Sequence, residues 1–173
     1  MTRRSRVAVD LVGALNLVAT LTKYLSLSCL APTAVALGYG EPPWPFLLAG
    51  ALVGLLALGT ERATSGDHRI GAREGFLVVS LTWLVAAAYG ALPFLFSGEA
   101  QLDRPVDAYF EAMSGFTTTG ASVLTDVESV DRSLVLWRAL TQWLGGIGII
   151  VLALVFEALF AVLGRLTTSK GLN

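Results

Sequence analysis

The fold is decided by residues 105–122, PVDAYFEAMSGFTTTGAS. In this stretch, residues that favour a short helix are followed directly by residues that disfavour helical backbone. Pro105 is of a type favoured at the first position of a helix. Asp107 and Glu111 place negative charge near the N-terminus of that helix, as the helix dipole prefers. Residues 106–116 are therefore predicted as a helix of about 16 Å, half the thickness of a bilayer's hydrocarbon core.

The residues after this helix suit a path lined by backbone carbonyl groups. Thr117, Thr118 and Thr119 are β-branched and favour extended backbone, and Gly120 permits a positive φ and a close approach. Non-helical backbone at membrane depth is tolerated only inside protein or along a water-filled cavity. Since rings of carbonyl oxygens can replace the hydration shell of an ion, the pattern indicates a re-entrant pore loop for a cation. A surface helix followed by a Thr-rich turn is the alternative reading.

Long apolar segments surround this stretch. The chain of 173 residues is 54% apolar and only 14% charged, whereas soluble domains carry about 25% charge. A helix needs about 20 residues to cross the bilayer, and the segments that reach or approach this length are 7–37, 44–58, 75–96 and 134–163. The sequence thus predicts an all-α integral membrane protein, with a kink near Pro32 in the first span.

The basic residues predict the orientation of these spans. A cytoplasmic N-terminus leaves three arginines outside, Arg104, Arg132 and Arg138, and places eight basic residues inside: Arg3, Arg4, Arg6, Arg62, Arg69, Arg73, Arg165 and Lys170. This asymmetry follows the positive-inside rule, so both termini are expected in the cytoplasm. Lys23 falls within the first span, where it would be costly against lipid, and is expected to reach the interface or to face protein.

The sequence gives little support to nucleotide binding, enzyme activity or nucleic-acid binding. Gly145, Gly146 and Gly148 lie inside an apolar segment that follows no strand, so they predict close helix packing and not a nucleotide-binding turn. The sequence has no zinc-protease or serine-hydrolase motif, and we expect no enzyme activity and no cofactor. A net charge of −1 gives no reason to expect a nucleic-acid partner.

The order of motifs along the chain resembles one family. The motifs are REGFL at 73–77, GALPF at 90–94, DAYFE at 107–111, SGFTTTGA at 114–121 and QWLGGIGIIVL at 142–152. In this order they resemble the Trk/Ktr/HKT superfamily of potassium transporters, and most closely its bacterial TrkH/TrkG branch. The resemblance covers about residues 7–155 and is specific over 73–152.

The resemblance implies a fold in which a helix–pore loop–helix unit occurs four times around one pseudo-fourfold pore. It assigns to the chain a two-helix extension at 1–72, the first repeat at 73–164 with a filter strand at 117–122, and a cytoplasmic tail at 165–173. Asp107, Glu111 and Gly115 then belong to the pore helix. Thr117, Thr118, Thr119 and Gly120 form the filter segment, with the carbonyls of Thr118 and Thr119 as the potassium ligands.

The resemblance also implies potassium uptake across the bacterial plasma membrane, with the ion as substrate. Its implied partners are the lipid bilayer, the remaining pore-loop repeats or further copies of the chain, a cytosolic nucleotide-binding regulatory subunit, and a second transporter in a dimer. Three repeats are missing and residues 153–173 depart from the family, so the chain is expected to be an N-terminal fragment. A non-transporting accessory or degenerate subunit and a small homotetrameric cation channel remain alternatives.

Overall fold

The computed structural model describes residues 9–68 and 71–168, and these ranges hold helices and loops without a strand. Six α-helices form the structure: α1 (Leu11–Leu25), α2 (Leu30–Tyr39), α3 (Trp44–Ala63), α4 (Ala72–Ser97), α5 (Pro105–Phe116) and α6 (Arg132–Thr168). Short 3-10 helices occupy Ser26–Cys29 and Ala100–Leu102. The predicted all-α class is confirmed.

Four helical stretches are long and apolar enough to cross a membrane. They are Leu11–Tyr39, Trp44–Ala63, Ala72–Ser97 and Arg132–Leu154, which agree with the four predicted spans. Large apolar side chains cover their outer surfaces; Leu55, for example, is 69% exposed. Such a surface would be unfavourable in water and suits contact with lipid.

The first span is broken by the 3-10 helix Ser26–Cys29, just before Pro32. Proline has no N–H to donate, and its ring crowds the carbonyl four residues earlier, so the helix distorts in the turn that precedes it. The 3-10 turn lies just before Pro32, where the sequence predicts a kink. Gly50 and Gly54 of α3 pack against this turn, since a Cβ atom at Gly54 would lie 2.9 Å from Ser26 Oγ.

A polar contact joins α1 to the end of α3. Lys23 Nζ lies 2.6 Å from Glu61 Oε2, and the Thr20 hydroxyl donates to Glu61 Oε1 at 2.9 Å. The Asn16 amide donates to the Glu61 backbone carbonyl at 2.9 Å. Lys23 therefore faces protein, which is one of the two outcomes expected for a lysine inside a span.

Trp137 of α6 lies at the centre of the core. Its side chain is fully buried, and its ring meets Tyr89 edge-on with centroids 5.5 Å apart and Phe46 with centroids 6.5 Å apart. Its indole Nε1 donates to the Gly90 carbonyl at 2.9 Å. One side chain thus connects α6 to both α3 and α4.

Glu41, in the turn between α2 and α3, caps the N-terminus of α6. Its carboxylate accepts the N–H groups of Arg132 and Ser133, both at 2.9 Å, which would otherwise lack partners at a helix start. Burial raises the pKa of Glu41, but the hydrogen bonds from Ser133 and Arg132 and the charge of Arg132 outweigh burial. The net effect lowers the pKa below its ordinary value.

We expect the stability of the chain in detergent to decrease as the pH falls through the lowered pKa of Glu41. A carboxyl group with a depressed folded-state pKa stabilises the fold above its unfolded pKa of about 4.3 and loses that contribution on protonation. Glu41→Gln should remove about 1 kcal/mol of stability near neutral pH, as other cap substitutions do. Thermal unfolding of both proteins from about pH 7 down to about pH 2.5 measures the difference, which should hold down to about pH 4.3 and shrink below it.

The control for this prediction is Glu128→Gln. Glu128 is exposed in the loop before α6, so the substitution changes the charge without touching the cap. The pKa of the neighbouring Asp131 is shifted in the opposite direction to that of Glu41, because burial and the nearby charges of Glu41 and Glu99 raise it. An unfolding difference between wild type and Glu41→Gln that stays constant with pH would contradict the prediction.

Candidate functional site

The short helix α5 is held closely between α4 and α6. A Cβ atom at Gly90 of α4 would lie 2.7 Å from the ring of Phe116 and 3.2 Å from Ala112 Cβ. On the other side, a Cβ atom at Gly115 would overlap Thr141 Oγ1 of α6. Glycine at both positions lets three helices approach closely, and the approach places the C-terminal end of α5 within the bundle.

The chain that follows α5 returns to the end at which α5 began. Gln101 precedes α5, and its side-chain oxygen accepts the N–H groups of Thr125 at 2.9 Å and Asp126 at 3.3 Å. Its amide nitrogen donates to the Asp126 carbonyl at 3.3 Å. Helix and return segment therefore form a hairpin. A hairpin between two helices of spanning length is consistent with the predicted re-entrant loop, which stays a prediction.

The C-terminus of α5 ends in a Schellman motif. The N–H of Thr118 donates to the Gly115 carbonyl at 2.8 Å, and the N–H of Thr119 donates to the Ser114 carbonyl at 3.0 Å. The motif needs a left-handed residue, usually glycine, and here Thr118 takes that place with φ +57°. A β-branched residue in this conformation is strained by about 1–2 kcal/mol.

The predicted strand at 117–122 is a turn followed by irregular backbone. The difference has a local cause, because helix termination forces the first residues after Phe116 into the turn. Gly120 has φ +76°, a conformation that the sequence argument allowed for this glycine. Left-handed residues thus alternate with others over 117–120, where uniform extended backbone was expected.

The segment 117–120, here called the filter loop, presents hydrogen-bond acceptors. Its N–H groups are all engaged: Thr117 donates to Met113 at 2.9 Å, and Gly120 donates to Ser114 at 3.5 Å, besides the two bonds of the Schellman motif. The Thr117 hydroxyl donates to the Met113 carbonyl at 2.8 Å.

The carbonyl oxygens of the filter loop, in contrast, accept no hydrogen bond from any donor within residues 9–68 or 71–168. All four residues are exposed on this chain. A surface whose N–H groups are taken and whose carbonyls are free attracts cations or hydrogen-bond donors and offers nothing to an anion.

Glu111 has a different role from the one that its sequence position indicated. Asp107 lies in the first turn of α5, 3.7 Å from Arg104, where the helix dipole acts. Glu111 lies beyond that turn, so the dipole hardly reaches it. Its side chain is only 1% exposed, and its carboxylate accepts hydrogen bonds from Arg138 Nε, from Ser122 Oγ at 3.0 Å and from the Val123 N–H at 3.0 Å.

Arg138 is the residue that sequence reasoning missed. The charge count placed it on the outer side, within the predicted span 134–163, without a partner; in the structure it lies in α6 and pairs with Glu111. The signal available in the sequence was a glutamate within a largely apolar short helix and an arginine near the start of the next span. Nothing in that pattern indicated that the two side chains meet.

The three glycines predicted for helix packing differ in their surroundings. A Cβ atom at Gly145 would overlap the backbone carbonyl of Phe116, so this glycine lets α6 contact the end of α5 directly. At Gly146 the nearest atom would be Thr118 Cγ2 at 3.9 Å, and at Gly148 it would be the Trp83 ring at 3.6 Å. Both of these positions have room for a methyl group.

Comparison with known proteins agrees with this architecture. The sequence model of the TrkH family, described as a cation transport protein, matches residues 48–169. The Trk system potassium uptake protein TrkH of Halomonas elongata is 37% identical over 141 residues, which are 80% of this chain and 29% of that protein. TrkH of Escherichia coli K12 is 37% identical over 153 residues, 86% of this chain and 31% of the relative.

A solved structure has the same fold. The crystal structure of the potassium transporter TrkH from Vibrio parahaemolyticus superimposes with a TM-score of 0.79 at 32% identity, and the match covers 86% of this chain and 32% of that chain. The chain therefore spans about a third of the length of the relatives that it matches. Its four span-length apolar helices and this likeness identify a multi-pass membrane protein. The family match covers well over half of the sequence, and the chain belongs to the TrkH family of cation transport proteins.

Proposed function

We propose that the chain supplies one side of a potassium pathway through the bacterial plasma membrane. The observation that carries the proposal is the filter loop, whose N–H groups are engaged within the chain while its carbonyls are free. Carbonyl oxygens of this kind replace the hydration shell of a potassium ion in selective pores. The carbonyls of Thr118 and Thr119 are the proposed ligands, with Thr117 and Gly120 completing the segment.

One loop leaves most of an ion's surroundings open, so the pathway needs further segments. The relatives named for potassium uptake are about three times as long as the matching part, and the remaining sides of the filter are proposed to come from further pore-loop repeats. Transport on this scheme uses no covalent chemistry and no cofactor. Both termini are proposed to face the cytoplasm, where a nucleotide-binding regulatory subunit would dock on a dimer of complete transporters.

The experiment that tests this function compares the chain with a chimera. In the chimera, the chain replaces the segment of Escherichia coli TrkH to which it aligns. Cells deficient in potassium uptake should grow at low potassium with the chimera and should not grow with the chain alone. Growth with the chain alone, together with a tetrameric state in detergent, would support the homotetrameric channel. A chimera that is present in the membrane and fails to transport would contradict the proposal.

Within the chimera, Gly120→Ser should lower the ratio of potassium to sodium uptake about tenfold, the effect of ~1.4 kcal/mol in relative ion binding. A side chain at Gly120 meets no close atom, since the nearest is Gln142 Nε2 at 3.9 Å. The effect must therefore arise from backbone strain at φ +76°, which the loop relieves by rotating a peptide and its carbonyl.

Gly98→Ser is the matched control for Gly120→Ser. Gly98 has φ +75° and also has open space around it, so it adds similar strain at the end of α4 and should leave the uptake ratio unchanged. Gly115→Ser is unsuitable because its side chain would overlap Thr141.

If Thr118→Val and Thr119→Val abolish selectivity while Gly120→Ser is silent, side-chain hydroxyls and not carbonyls are the ligands.

A further inference from the structure

The buried Glu111 carboxylate accepts hydrogen bonds from side-chain and backbone donors. The Val123 N–H, at 3.0 Å, and the Arg138 guanidinium can only donate hydrogen bonds. Glu111 is therefore an acceptor for donors from two separate parts of the chain, the segment after the filter loop and α6.

The segment after the filter loop is fixed to α5 at successive residues. The Ser122 hydroxyl donates to Glu111 at 3.0 Å and accepts the Leu124 N–H at 3.0 Å. One helical turn further along the same face of α5, the Ser114 hydroxyl donates to the Ala121 carbonyl at 2.6 Å. Residues 121–124 are thus tied to two side chains of the helix immediately after the free carbonyls of the filter loop.

The filter loop is consequently fixed at both of its ends by α5. Its beginning is held by the Schellman motif, through the carbonyls of Ser114 and Gly115. Its other end is held by Ser114 and Glu111 through side-chain hydrogen bonds. A loop fixed in this way can be displaced only by breaking one of the two attachments, and the second depends on two side chains of α5, of which Glu111 holds both Ser122 and Val123.

Arg138 makes this attachment depend on α6. A buried carboxylate is strongly unfavourable without a charged partner, and among the described residues only Arg138 supplies one to Glu111. The position of the segment that follows the filter loop is therefore set jointly by α5 and α6, although neither charged side chain lies in the loop.

We infer that Glu111, held by Arg138, is a positioning residue that sets the carbonyl spacing of the filter loop and thereby its discrimination between potassium and smaller cations. The inference rests on the proposed potassium pathway. Glu111 bonds Ser122 and Val123, which directly follow the filter loop, and therefore acts on the loop's carbonyls through the backbone. Its removal should alter selectivity more than total uptake, because the carbonyls remain present but are less firmly spaced.

The first test measures loop attachment in the full chain in detergent, by amide hydrogen exchange. Glu111→Gln should accelerate exchange at Val123 and Leu124 at least about tenfold, since the carboxylate holds Val123 directly and Leu124 through Ser122. Amides of α1 should be unaffected. Ser122→Ala, at an exposed position, should accelerate Leu124 and serves as a second variant if Glu111→Gln does not fold. Unchanged exchange at both amides in a folded variant would overturn the inference.

The second test measures the ratio of potassium to sodium uptake in the chimera with Escherichia coli TrkH. Glu111→Gln should lower this ratio about tenfold, while Glu128→Gln, which removes an exposed carboxylate, should leave it unchanged. Failure of the unmodified chimera to transport would contradict the proposed function, and hydrogen exchange would still decide whether Glu111 fixes the loop. A transporting chimera whose Glu111→Gln variant keeps the wild-type ratio would overturn the inference itself.

Discussion

Gly145→Ala should destabilise the chain by about 3 kcal/mol, the upper part of the range for overpacked sites. The added methyl group would overlap the backbone carbonyl of Phe116, and a backbone atom at the end of a packed helix cannot rotate away as a side chain can. The overlap can be removed only if α6 moves away from α5. The movement would also disturb the pair between Glu111 and Arg138.

The neighbouring Gly146→Ala provides the control. The same methyl group there would meet only Thr118 Cγ2 at 3.9 Å, and alanine improves helix propensity by up to about 1 kcal/mol. Thermal unfolding in detergent should therefore place the two variants on opposite sides of wild type. Equal stability of the two variants would show that α6 does not lie against Phe116 as described.

Trp137→Ala should cost about 3–5 kcal/mol, as expected for removal of a fully buried aromatic side chain. The indole fills the space between Phe46 and Tyr89 and donates a hydrogen bond to the Gly90 carbonyl. Its loss would leave a cavity among α3, α4 and α6. Intrinsic fluorescence and thermal unfolding of the purified chain measure the effect.

Trp143→Ala is the matched substitution on the same helix. Trp143 is 63% exposed, so its removal should change stability little in detergent. Trp137→Phe separates packing from hydrogen bonding, because it retains an aromatic ring and loses the bond to Gly90, at a cost of about 1–3 kcal/mol. A Trp137→Ala variant as stable as Trp143→Ala would contradict the described core.

The spans and the short helix could be predicted because their signals are local. Runs of apolar residues give the length of each spanning helix, and Pro105 gives the start of α5, which the structure places at that residue. The break before Pro32 likewise follows from the chemistry of one residue type. Each of these features is decided by residues within a turn or two of one another.

The details of the site were less predictable for two reasons. Some depend on residues that are distant in the sequence, and others depend on competition between the backbone preference of a residue and the hydrogen bonding of a helix end. Glu111 and Arg138 are separated by 27 positions, and their pairing exists only once α5 lies on α6. At Thr118 the β-branched side chain favours extended backbone, whereas helix termination requires a left-handed residue. Thr118 adopts the left-handed conformation, because the helix end then satisfies backbone hydrogen bonds that strand geometry would leave unmade.

The hydrogen bonds of Glu41 have a consequence for the order in which the chain assembles during synthesis. Lys23 and Glu61 are 38 residues apart, so α1 and α3 can pair while the later helices are still being made. Glu41, in contrast, must wait for Arg132 and Ser133, which follow it by 91 and 92 residues. The Glu41 cap and the contacts of Trp137 can therefore form only after α6, and with it the preceding filter loop, has left the ribosome.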